Sequence, residues 1–93
     1  MEVKISKDQL NVLLNEVQKE YFDAVLKQNV FCGTCGSTAK QGVDTKELIL
    51  DALNDIRIKG ICNVCKGDVV RILEFGENQE FHEKAMNYKI SRL

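Results

Sequence analysis

Several residue types that build large cores are scarce or missing in this chain of 93 residues. Tryptophan and proline are absent, and the aromatic residues are two tyrosines and four phenylalanines. A core built on many packed aromatic rings is therefore excluded. A chain of this size buries only about 60–65% of its unfolded surface on folding, which leaves a small margin of stability. A cross-link that replaces part of the missing core is expected on these grounds.

An excess of charge of either sign is also missing. Thirteen lysines and arginines stand against fourteen aspartates and glutamates, which gives a formal net charge of −1. Between Cys32 and Phe75 the balance is kept locally, with six basic and six acidic residues. Binding of nucleic acid normally requires a clustered basic surface. The composition therefore disfavours nucleic acid as a partner, although a local basic patch would survive this balance.

Long hydrophobic runs are absent as well. The first residues, MEVKISKDQL, lack the apolar core of about 7–15 residues that a secretion signal needs. No segment approaches the roughly 18 apolar residues of a transmembrane helix. A cytoplasmic location is therefore expected, where thiols stay reduced. Under those conditions paired cysteines bind metal more often than they form disulfides.

Residues 6–29 predict one long helix. Ser6 and Gln9 have the spacing of a capping box, in which each side chain accepts a hydrogen bond from the other's backbone N–H. An apolar stripe runs along this helix, and it either packs within the monomer or contacts another protein or a second copy in a short coiled coil. A second apolar patch, Phe22 and Leu26, lies near the first cysteines, and this half of the helix is expected to pack on the cysteine region. The stripe residues recur at spacings of three and four: Leu10, Leu14, Val17, Tyr21 and Ala24, widened by Leu13 and Val25.

The middle of the chain contains one ambiguous segment and two clear strands. Residues 44–54 fit a helical face and strand alternation equally well, so periodicity leaves their structure open. Alternation from Ile56 to Ile61 and the β-branched residues of the segment 68–75 predict two strands. Because only CNVCKG separates them, we expect an antiparallel hairpin that carries the second cysteine pair at its tip.

A second helix is predicted over residues 77–93. Asn78 is a suitable cap, and Glu80 and Lys84 have the i,i+4 spacing that allows an ion pair. His82 is the only histidine of the chain, and its spacing is more typical of a half-exposed helix residue than of a metal ligand. One face is predicted to hold His82, Met86, Lys89, Ile90 and Leu93.

The cysteines form two CxxC pairs, Cys32 with Cys35 in FCGTCGS and Cys62 with Cys65 in ICNVCKG. Two residues between the thiols let one tight turn direct both sulfur atoms at the same point. Gly36 and Gly67 follow the pairs closely, where such a turn needs a positive φ. Four thiolates at about 2.3 Å complete the tetrahedral coordination of Zn²⁺, which is typical of a structural site. The sequence therefore predicts one Zn²⁺ per chain on these four ligands.

FCGTCG, and ICNVCKG followed by DVVRILEF, resemble the two knuckles of the zinc-ribbon family. The segment LNDIRIKGICNVCKGDVVRILEFGE is also similar to the second half of small, poorly characterised bacterial zinc-ribbon proteins. The resemblance covers residues 30–76. It implies an α+β fold in which a three-stranded antiparallel zinc ribbon is flanked by an N-terminal and a C-terminal helix. Because the pairs are usually separated by about 15–20 residues, residues 37–55 are interpreted as an insertion in a single domain, 1–93.

Other uses of the four cysteines stay open at this point. Iron bound as in rubredoxin would make the protein an electron carrier, but the prolines and dense aromatic core typical of rubredoxin are missing. A thioredoxin-like redox motif requires a single CxxC that opens a helix, whereas here two pairs lie beside strands. Two disulfides are the remaining alternative.

The resemblance leaves the biological role open, since zinc ribbons serve in transcription factors, ribosomal proteins and docking modules alike. The leading hypothesis is a protein-binding or self-associating module. An enzyme is not expected, because no phosphate loop or nucleophile–histidine group is present. The alternative is a regulator that contacts nucleic acid through the ribbon hairpin, and a redox protein comes third. The basic residues assigned to the phosphate contact are Arg57, Lys59, Lys66 and Arg71.

Overall fold

The computed structural model describes residues 2–92, which form a four-stranded sheet, a separate two-stranded hairpin and three α-helices. A short 3₁₀ turn at Phe75–Glu77 precedes the last helix. The strands are β1 (Val3–Ile5), β2 (Phe31–Cys32), β3 (Ser37–Thr38), β4 (Val43–Leu50), β5 (Ile56–Cys62) and β6 (Asp68–Leu73). The α-helices are α1 (Lys7–Leu13), α2 (Glu16–Gln28) and α3 (Gln79–Ser91).

The large sheet has the strand order β1-β4-β5-β6, and every neighbouring pair is antiparallel. The predicted hairpin of β5 and β6 is confirmed, with Ile56 opposite Leu73 and Ile61 opposite Asp68. The ambiguous central segment is mostly strand, since β4 runs to Leu50 and pairs along β5. The expected three-stranded ribbon is therefore wrong: β4 and β1 extend the hairpin to four strands, while β2 and β3 form a sheet of their own.

The prediction of a single helix over residues 6–29 is wrong, because the helical conformation is interrupted at Leu14 and Asn15. The capping box of Ser6 and Gln9 starts α1 as predicted. A second capping box starts α2, in which Asn15 Oδ1 accepts from Gln18 N at 2.8 Å and Gln18 Oε1 accepts from Asn15 N at 2.9 Å. The break rotates α2 relative to α1, so the predicted stripe divides. Leu10, Leu13, Leu14 and Val25 are buried, whereas Val17, Tyr21 and Ala24 are exposed.

The C-terminal helix forms as predicted, but it buries a different face. Asn78 Oδ1 accepts from Phe81 N at 2.9 Å, and Lys84 Nζ lies 3.1 Å from Glu80 Oε1. Of the predicted face, His82, Met86 and Ile90 are exposed, Lys89 is buried, and Leu93 lies outside the described residues. The buried positions are Phe81, Ala85 and Lys89, which recur every four residues.

The core lies between the inner face of the large sheet and the helices. On β5 the alternation is strict, with Ile56 and Ile58 buried and Arg57 and Lys59 on the opposite face. Three aromatic residues meet beyond the end of β6 that is remote from the cysteines, where the Phe75 ring is 5.5 Å from Phe81 and 6.0 Å from Tyr21. Within the described part of the chain, no helix is long and apolar enough to cross a membrane.

A polar network closes the turn between β4 and β5, at the end of the sheet opposite to the cysteines. Asp51 Oδ1 accepts hydrogen bonds from the backbone N–H groups of Leu53 and Asp55. The buried Lys89 of α3 donates from Nζ to the Asp51 carbonyl at 2.6 Å. Asn54, which has a φ of +63°, is hydrogen-bonded through Nδ2 to His82 Nδ1 at 3.1 Å. These bonds tie α3 to the turn.

Candidate metal centre

The first cysteine pair lies at the tip of the β2–β3 hairpin. Cys32 ends β2 opposite Ser37, and the residues between them form the turn. The turn closes with a hydrogen bond from Gly36 N to the Cys32 carbonyl at 2.9 Å. Gly36 has a φ of +70°, as predicted for the residue after the pair. A glycine there lets the chain reverse within four residues and direct both thiols to the same side.

The second pair lies at the tip of the β5–β6 hairpin. Lys66 N donates to the Cys62 carbonyl at 2.9 Å, which is the equivalent of the bond from Gly36 N to the Cys32 carbonyl in the first pair. The residue with a positive φ in this turn is Lys66, at +64°. The prediction that Gly67 would have the positive φ is therefore wrong. Gly67 has another reason to be small: a Cβ there would lie 3.3 Å from Cys65 Sγ and 3.3 Å from Thr34 Oγ1, where the two knuckles meet.

The four cysteine sulfurs converge in one cluster, with all four atoms within 4.8 Å of one another. Cys32 Sγ lies 3.5 Å from Cys65 Sγ, and Cys35 Sγ lies 3.9 Å from Cys62 Sγ. Sulfurs that are each about 2.3 Å from one tetrahedral ion are about 3.8 Å apart, so these separations fit a single metal. The four cysteines are therefore positioned to hold a metal ion, as the sequence predicts.

Backbone N–H groups point at the sulfur atoms. Cys35 N donates to Cys32 Sγ at 3.5 Å, and Gly67 N donates to Cys65 Sγ at 3.4 Å. The N–H groups of Cys65 and Val64 lower the pKa of the Cys62 thiol to about 7. Hydrogen bonding by the side chains of Cys65 and Cys32 instead raises the pKa of Cys35 to about 12. Deprotonation, which metal binding requires, is thus easier at Cys62 than at Cys35.

The loop before β4 anchors the second knuckle, and the sequence patterns do not reveal this contact. Asn63 donates from its backbone N to the Gly42 carbonyl and from Nδ2 to the Gln41 carbonyl, both at 3.1 Å. Gly42 has a φ of +78°, and a Cβ on it would lie 3.2 Å from the Leu26 carbonyl of α2. The end of α2 therefore packs against the loop that holds the second knuckle. The only sequence signal of this loop is its glycine.

The basic residues assigned to a phosphate contact do not share one surface. Arg57 and Lys59 lie on the outer face of the sheet, and Arg57 is paired with Glu2 at 2.8 Å. Arg71 aligns with the buried Ile58 and is half-buried on the core side of β6. Lys66, the fourth residue of the set, belongs to the turn of the second knuckle. His82 is bonded to the β4–β5 turn and is not part of the cysteine cluster.

No protein-family model matches the chain, and comparisons with curated proteins and with solved structures give no significant match.

Proposed function

We propose that this chain is a small, non-enzymatic binding module whose two cysteine hairpins are clamped together by one structural Zn²⁺. The observation that carries the metal assignment is the closed cluster of four sulfur atoms, with separations of 3.5 and 3.9 Å across the two knuckles. Four thiolates fill the coordination of Zn²⁺ and leave no position for a substrate or water. The centre therefore has a structural role, and its reduced thiols fit a cytoplasmic location.

Zinc is favoured over iron by the surroundings of the cluster. The aromatic pair Phe75 and Phe81 lies beyond the end of β6 that is remote from the cysteines. Phe31, the aromatic residue next to Cys32 in the chain, is 64% exposed. Together with the absence of proline from the knuckles, this separation differs from the proline-containing, aromatic-rich setting of a rubredoxin-like iron, and the zinc-ribbon assignment rests on it and on the two CxxC turns.

Metal analysis tests the proposed centre directly. The protein purified without added metal should contain one zinc per chain and show no visible absorption. The matched variant Cys62→Ser removes one ligand and should lower the zinc affinity by orders of magnitude, because a four-thiolate site loses a bond and a charge. Stoichiometric iron with a visible absorption band, or full thiol titration without bound metal, would contradict the proposal.

The proposed binding surface is the outer face of the large sheet, which no helix covers. Val70 and Ile72 of β6 are 56% and 48% exposed, respectively, and lie beside Lys59 and Arg57 of β5 in the strand register. Ile49 of β4 lies on the same face opposite Arg57 but is buried, so the exposed apolar strip consists of Val70 and Ile72. On the same face Glu47 lies opposite Lys59 and Asp68 lies opposite Ile61, so charges of both signs border the apolar strip. An apolar centre with a rim of both signs can pair with its own copy, and a second copy of this chain is therefore the partner to test.

Light scattering over a range of concentrations tests self-association through this surface. We expect a concentration-dependent dimer that is lost in the variant Val70→Asp. The control Val12→Asp changes an exposed valine of α1, 79% accessible, and should leave the association unchanged. A strict monomer at high concentration would retire the self-associating form of the proposal. Salt-dependent retention on DNA or RNA that is lost in Lys59→Glu would instead favour the nucleic-acid regulator.

A further inference from the structure

The four cysteines differ in their access to solvent. Cys32 and Cys62 end their strands inside the protein, and both are fully buried. Cys65 is partly exposed, and Cys35 is the most exposed of the four. A molecule that approaches the cluster from solvent therefore meets the two second cysteines of the CxxC pairs first, and Cys35 before Cys65.

The cysteines also differ in the hydrogen bonds that their sulfur atoms accept. The sulfur atoms of Cys32 and Cys65 accept from Cys35 N at 3.5 Å and from Gly67 N at 3.4 Å, respectively. Within residues 2–92, Cys35 Sγ has only the other thiols as hydrogen-bonding partners. An N–H bond withdraws electron density from a thiolate, so the thiolate without one keeps the strongest nucleophilicity.

A shallow pocket adjoins Cys35. Its volume is about 300 Å³, and its lining residues are Cys35, Ser37, Thr38, Lys40 and Val64. Val64 is half exposed and supplies an apolar wall, while the Lys40 ammonium supplies a positive charge. The exposed sulfur atom thus lies in a pocket that can hold a small molecule with an apolar part and a negative or polar oxygen.

We propose that Cys35 is the site at which small soft electrophiles modify this protein and open its metal centre. The inference rests on the proposed zinc centre. In the reaction with a haloacetyl compound, the Cys35 sulfur forms an S–C bond, and the carbon–halogen bond breaks with loss of halide. The product is a neutral thioether, which is a poor zinc ligand, so the Zn–S bond to Cys35 breaks. Three thiolates then remain, and the ion becomes available to a competing chelator.

The test uses the zinc-loaded full chain with iodoacetamide below one equivalent. Peptide mapping at low conversion should place the label on Cys35 about tenfold more often than on Cys65. Loss of one N–H hydrogen bond to a charged sulfur changes the reaction rate by about this factor. A chromogenic chelator should report zinc release in step with the labelling of Cys35. Equal labelling of the two residues, or labelling without zinc release, would overturn the inference and leave the zinc centre standing. Absence of bound zinc in the starting protein would overturn both.

The role of the pocket is tested with a charged probe. Iodoacetate carries a carboxylate that the Lys40 ammonium attracts, whereas iodoacetamide is neutral. The variant Lys40→Glu should therefore slow labelling by iodoacetate several-fold more than labelling by iodoacetamide. The control Lys27→Glu changes a lysine that lines a different cleft and should leave the ratio of the two rates unchanged. The same loss in both variants would show that net charge, and not this pocket, directs the probe.

Discussion

The turns of the two knuckles place different residues at equivalent positions. Gly36 and Lys66 each follow the second cysteine of a pair, with φ of +70° and +64°. A residue with a Cβ pays about 1–2 kcal/mol for this left-handed backbone, whereas glycine adopts it freely. Each N–H donates to the carbonyl of the first cysteine at 2.9 Å, so the turn needs this backbone whatever the side chain. The second knuckle therefore carries a strain that the first lacks.

The variant Lys66→Gly should raise the free energy of unfolding by about 0.5–1 kcal/mol, because relief of the strain exceeds the added entropy of the unfolded chain. Gly36→Ala should lower it by about 1 kcal/mol for the same reason. Urea denaturation at a fixed free zinc concentration measures both. Lys66→Ala is the control, since it removes the ammonium but keeps the Cβ. If it stabilises as much as Lys66→Gly, the side chain and not the backbone is responsible.

Lys89 is the buried cation of the described core, with 6% of its surface accessible. Its Nζ donates to the Asp51 carbonyl, while burial lowers the pKa of the ammonium below the ordinary 10.5 despite attraction by Asp51 and Glu2. The unfolded chain therefore binds this proton more tightly than the folded protein does. It follows that the residue destabilises the fold while charged, and that this penalty fades as the pH rises toward 10.5 and is absent above it.

Comparison with Lys89→Met isolates this effect. We expect the stability of the natural protein relative to the variant to increase as the pH rises from 7 toward the ordinary lysine pKa of 10.5. Titration of thiols and tyrosines affects both proteins alike and cancels in the difference. The measurement is urea denaturation of both proteins at several pH values. Parallel pH curves would show that the ammonium of Lys89 is fully solvated.

At the scale of elements, local signals and tertiary pairing decide different parts of the fold. The sequence contains a signal for the break between α1 and α2, Asn15-x-x-Gln18, which is the same type of capping signature as Ser6-x-x-Gln9. The apolar stripe continues past this signature and favours the prediction of one uninterrupted helix. The strand β4 has no comparable local signature. Its conformation is set by pairing with β1 on one side and β5 on the other, which no single-strand pattern contains.

The cap at Asn15 gives a direct test of the helix break. Asn15→Ala removes the acceptor for Gln18 N and should lower the free energy of unfolding by about 1 kcal/mol. Asn11→Ala changes an asparagine inside α1, whose side chain accepts from the Lys7 ammonium, and should not lower the stability, because alanine is the better helix former. Thermal denaturation of the two variants at equal zinc concentration provides the comparison. Equal stability of the two would mean that packing of Leu14, and not the cap, ends α1.

The cluster of four cysteines was predictable from the sequence, and so was one of the two hairpins that carry it. The CxxC spacing identifies the four cysteines, and the alternation before Cys62 identifies β5. The contacts between the knuckles were not predictable, because they join residues distant in the sequence. Gly67 meets Thr34, and Asn63 meets Gly42, without any periodic signal.

Gly60 lies at the β-bulge between β4 and β5, where close contacts leave no room for a side chain. It lies opposite Thr45, where the register shifts, and a Cβ on it would lie 2.5 Å from Val43 Cγ1 and 2.6 Å from the Asp44 carbonyl oxygen. Gly60→Ala should therefore lower the free energy of unfolding by about 1–3 kcal/mol through overpacking. Gly33→Ala is the matched control, since a Cβ there meets no heavy atom within 4 Å. Comparable losses in urea denaturation would contradict the steric account of the bulge.

At the scale of the whole molecule, the cysteine cluster lies at one end of the buried core, which includes Cys32 and Cys62, and the Phe75–Phe81 pair lies toward the other end. Strand β5 runs between these ends, from the buried Ile56 to Cys62, over about 20 Å of extended chain. The first knuckle has strands of only two residues each, and its apolar anchors besides the cluster are the buried Val30 and Ala39. Helices α1 and α3 contact each other and close the other end. The two ends are therefore expected to differ in their dependence on the metal.

Removal of the proposed zinc should consequently loosen one end of the protein. Hydrogen exchange followed by mass spectrometry should show loss of protection in residues 31–38 and 62–69 after chelation, while residues 48–50 and 56–58 stay protected by the core. A variant with all four cysteines changed to serine, measured without chelator, is the control and should give the same map. Loss of protection along the entire chain would mean that the metal, and not the hydrophobic core, holds the whole domain together. Unchanged protection in the two knuckles would mean that the cluster folds without a metal, because the hairpins would then be held by their backbone bonds alone.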